Sequence, residues 1–156
     1  MQRSNVAMSE ITWRPASRED VPAVVDMLAD DVLGQGRARA DIATYYAAFD
    51  AMGAEGGNTL IVGEDAGQVI ATYQFTAISG LSLSAARRAQ IEAVRVASSH
   101  RGRGLGEALF ADAVARARAA GCTLMQLTTN RTRARAQSFY ERLGFTPSHV
   151  GYKRAL

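Results

Sequence analysis

The stretch VASSHRGRGLGEALF, Val96 to Phe110, holds the residues best suited to chemistry. A β-branched run leads into Arg101-Gly102-Arg103-Gly104-Leu105-Gly106, and a helical apolar period then begins. A helix N-terminus presents unpaired backbone N–H groups and a partial positive charge. Glycines ahead of it let the backbone approach an anion and take φ > 0. Arginines add planar forks that suit phosphate. The turn therefore reads either as a phosphate or pyrophosphate cradle or as a flexible glycine turn with no ligand. Two known cradles are excluded. A Walker A loop needs Lys-Ser/Thr after its last glycine, where Leu105-Gly106-Glu107 stands. A dinucleotide fingerprint needs G-x-G-x-x-G and an acidic residue about 20 positions on. Here the spacing is G-x-G-x-G, and the next strand reads LMQLTTN.

Other reactive types are sparse. Cys122 is alone, which excludes an intramolecular disulfide and a multi-cysteine metal site. It reads as structural filler. His100 and His149 are too few and too scattered for a ligand cluster, so no metal is expected. His100 reads as a surface loop residue. The 156 residues, 47% hydrophobic and 21% charged, fit one ordinary globular domain with a real core. Residues 1–9 read as a disordered leader and residues 10–156 as the single domain. The net charge is +3, and of the eighteen basic residues only Lys153 is not an arginine. Arg131, Arg133 and Arg135 alternate, so on a helix they share no face and make no nucleic-acid stripe. No apolar run is long enough for a membrane span, and the N-terminus lacks a signal core. A cytoplasmic location is expected.

The elements that must position the turn follow from periodicity. ITWRPAS reads as a first strand, with Ser17 as N-cap and Asp20 three residues on. Val21, Val24, Val25 and Leu28 continue a helix that LGQGRA breaks at Gly34. A second helix puts Ile42, Tyr45, Tyr46 and Phe49 on one face and ends near Gly53. TLIVGED and QVIATYQFTAI form a hairpin across Asp65-Ala66-Gly67. SGLSLSAARRAQ reads as a loop. A strand over 91–97, a helix over 105–120 and a strand over 122–128 make a βαβ unit, so those strands run parallel. RARAQSFYERLG is a short helix stopped by Gly144, and the tail FTPSHVGYKRAL reads as one or two closing strands. The order predicts an α/β chain of the α+β type. It has a single mixed, mostly antiparallel central sheet with helices on both faces.

The turn also fits (Arg/Gln)-x-x-Gly-x-(Gly/Ala), filled by Arg101, Gly104 and Gly106. Upstream stands Val94-x-Val96. Downstream, beyond a helix and a strand, stands Phe139-Tyr140-Glu141-x-Leu143-Gly144-Phe145. Together these resemble the GNAT superfamily of acyl-CoA N-acyltransferases, in element order over roughly residues 10 to 156. The resemblance implies a splayed parallel strand pair and acetyl-CoA as cosubstrate. The coenzyme's diphosphate would lie on the turn, Arg101, Gly102, Arg103, Gly104, Leu105, Gly106 and Glu107. Its pantetheine arm would bond the strand Val94, Arg95 and Val96, with Asn130 as an amide contact.

The implied reaction is direct attack of an amine on the thioester. It needs a neutral amine, a stabilised oxyanion and a protonated leaving thiolate. Tyr140 holds the family's position for the general acid, the alternative being a packing tyrosine. Glu92 falls on the same strand face as Val94 and Val96 by period two. Partly buried there, it reads as a base with a raised pKa, as an ion-pair partner of Arg14 or Arg95, or as a site for a cationic substrate. Tyr45 and Tyr46 read as acceptor-pocket or core residues, and Arg87 and Arg88 as suited to an acidic acceptor group or as a solvated loop. The acceptor is expected to be a small-molecule or peptide amine, without nucleic acid or membrane, and a homodimer is possible from the resemblance. A non-catalytic acyl-CoA-binding regulatory module is the rival class, which would dispense with Tyr140.

Overall fold

The structure is a computed structural model that describes residues 10–30 and 39–156. The expected leader and the break at Gly34 lie outside the described residues. Strand β1 (Thr12–Pro15) leads through a 3-10 turn (Arg18–Asp20) into α1 (Val21–Ala29). The expected cap is present in substance. The Asp20 carboxylate accepts the Ser17 backbone N–H at 2.7 Å and its hydroxyl at 3.1 Å. It also accepts both terminal nitrogens of Arg14, at 2.7 and 3.1 Å, which holds its pKa below the usual carboxylate value. Arg14 is thereby tied to Asp20, and through its Nε to Glu64 at 2.9 Å, so it is not the partner expected for Glu92.

Helix α2 (Ile42–Ala54) precedes the hairpin β2 (Asn58–Asp65) and β3 (Gln68–Ile78). Ala66 and Gly67 both have positive φ, the geometry a two-residue hairpin turn demands. The expected loop after β3 contains a one-turn helix α3 (Ser82–Ala85), and β4 (Arg88–Val96) begins earlier than the sequence suggested. Helix α4 (Leu105–Ala119), strand β5 (Leu124–Leu127) and helix α5 (Ala134–Arg142) complete the order. The five strands lie in the order β1-β2-β3-β4-β5, antiparallel except for the parallel pair β4–β5. The tail after Phe145 forms no strand and is exposed, contrary to expectation. Its alternation HVGYKRAL mimics a strand, yet Val150 and Tyr152 find no apolar face to cover.

Neighbouring β2 residues show why helices flank both faces. Ile61 joins Ile70, Tyr73, Phe75 and Ile91 against Leu105, Leu109, Phe110, Ala113 and Ala117 of α4. Val62 points the other way, against Val24 and Met27 of α1. Each large apolar side chain buried in the α4 stripe stabilises by about 1.5–3 kcal/mol. That stripe fixes the helix whose first turn faces the candidate site.

Candidate active site

The ladder between β4 and β5 ends at the pair Ile91–Leu127, while β4 runs on to Val96. Residues 92–96 are paired with β3 on one side only. On the other, the two strands have parted. This leaves a strip of strand backbone that an extended chain can enter and bond as an added strand.

The strip carries a β-bulge that the sequence did not announce. Register steps from Gln74–Glu92 to Thr72–Arg95, so two residues of β4 oppose Tyr73, and Ala93 takes φ +52°. The bulge reverses the side-chain parity. Glu92, opposite Gln74, stays on the α1 face, as does Arg95 opposite Thr72. Val96 lies opposite Ala71, and it and Val94 pack into the α4-side core. The expected common face of Glu92, Val94 and Val96 is therefore corrected. So is its partial burial, because Glu92 is exposed and nothing buries its carboxylate.

The glycine turn opens at the end of this strip. Gly102 and Gly104 have φ of +78° and +75°, and a Cβ at either would meet open space. They are required for backbone shape and leave their surface clear. The first bond of α4 runs from Ala108 N–H to the Gly104 carbonyl at 3.2 Å. The amides of Leu105, Gly106 and Glu107 therefore precede the helical ladder and have no acceptor within it. Gly106 serves a second purpose, since a Cβ there would stand 2.9 Å from Phe139 Cζ. It lets α5 close on α4. Arg101 is anchored, donating to the Val96 carbonyl at 3.2 Å and the Asp30 carboxylate at 3.3 Å, while Arg103 is exposed. His100, expected as a surface loop residue, is half-buried and has partners. Its Nε2 lies 3.2 Å from Asp65 Oδ2 and its Nδ1 2.7 Å from the Ser99 hydroxyl.

Helix α5 presents Tyr140. Its ring packs edge-on against Phe110 at 5.6 Å and Phe145 at 6.0 Å, a half-buried setting. Its hydroxyl makes no hydrogen bond among the described residues. Burial raises its pKa above the ordinary phenol value, opposed by the positive charges of Arg133 and Arg95. Arg95 donates to the Val94 carbonyl at 2.8 Å. Asn130 lies past the end of β5, where its Oδ1 takes the Thr132 N–H at 3.0 Å and hydroxyl at 2.7 Å. Its Nδ2 makes no hydrogen bond among the described residues. Tyr45 and Tyr46 are half-buried on α2, which packs on α1 and β2, two strands from β4. Tyr46 lies under the Arg18 guanidinium at 4.3 Å. Arg87 and Arg88 are half-buried rather than loop-solvated. Cys122 is buried, as filler would be. Among the described residues no group of His, Cys, Asp and Glu is placed to hold a metal, and no helix is long and apolar enough to cross a membrane.

An open mixed sheet whose parallel pair parts beside a glycine turn defines an acetyltransferase fold. The family model for the acetyltransferase (GNAT) family matches residues 22–145, and the chain belongs to that family. It is an acyltransferase, and the family uses acetyl-CoA. Among solved structures, the chain is 39% identical to a transcriptional regulator from Bacillus halodurans C-125, covering 94% of this chain and all of that one, with a TM-score of 0.89. A "putative acetyltransferase" from Agrobacterium tumefaciens str. C58 is 28% identical over 93% of this chain and 99% of that one, TM-score 0.83. Glucosamine-6-phosphate N-acetyltransferase from Arabidopsis thaliana shares the fold at 18% identity, over 94% and 99%, TM-score 0.76. No curated protein matches the chain.

Proposed function

We propose that residues 10–156 act as one domain that moves an acetyl group from acetyl-CoA to a primary amine of a small molecule or peptide. The observation that carries the reading is the strip of β4 backbone, residues 92–96, which pairs with β3 alone beyond the end of the β5 ladder and runs toward the glycine turn. The residues present fit the coenzyme. Positive-φ glycines leave a clear surface over three unpaired amides, which suits a diphosphate. The free N–H edge of β4 suits the amides of a pantetheine arm. Acetyl-CoA supplies an acyl group already activated as a thioester.

This chain's residues then divide the work. The amides of Gly102 to Glu107 bind and orient. Arg103 adds charge at the rim, and Asn130 offers its Nδ2 donors. A backbone N–H near Val96 is directed at the carbonyl oxygen, where negative charge develops as the amine nitrogen forms its bond to carbon. Tyr140 would donate to the sulfur as the carbon–sulfur bond breaks. The thiol's pKa is near ~8.5 and a phenol's near ~10. Burial raises the phenol further, so full proton transfer runs uphill by at least about 2 kcal/mol. Tyr140 therefore acts first as a hydrogen-bond donor to the departing thiolate, and Arg95 and Arg133 ease the proton's departure. Glu92, exposed, holds the acceptor's ammonium, which gives a proton to water before the nitrogen attacks.

The test is release of free thiol from acetyl-CoA with a library of amines. Amine-dependent release is expected, and Glu92→Gln should raise the amine KM. Release that is absent, or independent of amine, would refute transfer to nitrogen.

A further inference from the structure

The α1-facing side of β2, β3, β4 and β5 carries an ordered row of uncharged polar side chains. Register aligns Asn58 with Thr76, Thr76 with Gln90, and Gln90 with Gln126, so four strands contribute one residue each to a line. The next row toward the bulge is Gln74 with Glu92. Helix α1 packs on Val62, Leu60 and Val69, and Leu60 lies opposite Gln74, so the helix borders the polar rows. The polar end is half-buried.

The amides are held in place. Gln126 Nε2 donates to Gln90 Oε1 at 2.7 Å, and Gln74 Nε2 donates to Asn58 Oδ1 at 3.0 Å. Asn58 Nδ2 is fixed in turn by Glu55 at 2.7 Å. These bonds use one end of each of two glutamines and leave the other end free. Gln90 Nε2 and Gln74 Oε1 make no hydrogen bond among the described residues, and neither is sealed from solvent. A fixed donor and a fixed acceptor thus stand on neighbouring strands, at diagonal positions about 7–8 Å apart in the sheet. Glu92 lies directly opposite Gln74, at the point where β4 parts from β5.

We infer that this face is the floor of the acceptor site, and that Gln90 and Gln74 select an amine bearing neutral hydrogen-bonding groups, hydroxyls above all, within a few bonds of its nitrogen. The inference rests on the acetyl-transfer reading and names the substrate class for that same gap. Glu92 takes the ammonium, and the two free amide ends take a neighbouring hydroxyl as acceptor and as donor. A plain alkylamine would cover both ends and satisfy neither, and a buried polar group without a partner is costly. Sites built to bond a hydroxyl reject analogues that lack it. A polyamine would need several carboxylates, and these two rows supply Glu92 alone.

The experiment measures kcat/KM at saturating acetyl-CoA for 2-amino-1,3-propanediol and glucosamine, against isopropylamine, cyclohexylamine and spermidine. Each is repeated in Gln90→Leu and Gln74→Leu, and acetyl-CoA affinity is read by calorimetry in parallel. The hydroxylated amines are expected to lead their carbon-matched counterparts by at least tenfold. Each substitution should raise their KM about tenfold with kcat within threefold, leave the alkylamines unchanged, and leave acetyl-CoA binding unchanged. The inference is overturned if the wild type shows no preference, if the preference survives both substitutions, or if no hydroxylated amine is acetylated while the coenzyme still binds. Loss of coenzyme binding in the wild type would instead sink the acetyl-transfer reading beneath it.

Discussion

Replacing Tyr140 by phenylalanine separates catalysis from packing because of where the hydroxyl lies. The ring is held by Phe110, Phe139 and Phe145, and phenylalanine keeps all three contacts. The hydroxyl has no protein partner among the described residues, so its removal orphans nothing. Stability should move by no more than about 0.5 kcal/mol, which for a chain of this length is a Tm shift of about 1–2 °C. The chemical loss is larger. A hydrogen bond to a group carrying charge contributes roughly 1.5–3 kcal/mol, so kcat should fall about 10- to 150-fold. Acetyl-CoA affinity should stay within threefold. Because burial raises the Tyr140 pKa, the phenol remains protonated through neutral and mildly alkaline pH. The kcat defect should therefore be the same at pH 7 and pH 9. Thiol-release kinetics, calorimetry and thermal melts on the same preparations supply the three numbers. An unchanged kcat, or a kcat loss that merely tracks a Tm drop of many degrees, would refute the acid assignment.

Gly106→Ala should force Phe139 to move and cost about 1–3 kcal/mol by overpacking. The melt should fall and kcat with it, since Phe139 precedes Tyr140 on α5, and Phe139→Leu should restore both in the double variant. Asp20→Asn removes the negative charge and one of the two acceptor oxygens that serve Arg14 and Ser17, and should cost about 2 kcal/mol at pH 7. The native Asp20 pKa is lowered, so its contribution is present above the unfolded carboxylate value and lost as pH falls through the native one. Urea melts from pH 7 down to pH 2 should show the wild-type advantage shrinking only at the acid end. A difference that is constant with pH contradicts the pairing.

The fold was legible where period and punctuation agreed. Leu105, Leu109, Phe110, Ala113 and Ala117 mark α4 in the sequence and are buried in the structure. The hairpin at Ala66-Gly67 and the stop at Gly144 were legible for the same reason. The bulge was not, because alanine at position 93 carries no turn signal and only the pairing with β3 requires its positive φ. That one residue reversed the reading of Glu92, which had assumed unbroken alternation. The row from Asn58 to Gln126 was invisible because polar residues at alternate strand positions read as an ordinary solvent face. Their alignment exists only once register is set. In the sequence Gly106 reads as part of an anion cradle, whereas its missing Cβ also admits Phe139 from α5.

The account depends most on the diphosphate being held by the amides at the start of α4. Calorimetric titration of the protein with acetyl-CoA and, separately, with S-acetylpantetheine tests it directly. A saturable heat for acetyl-CoA and at least a hundredfold weaker binding of the fragment that lacks the diphosphate is the predicted outcome. Equal affinity for the two, or no heat with either, would contradict it.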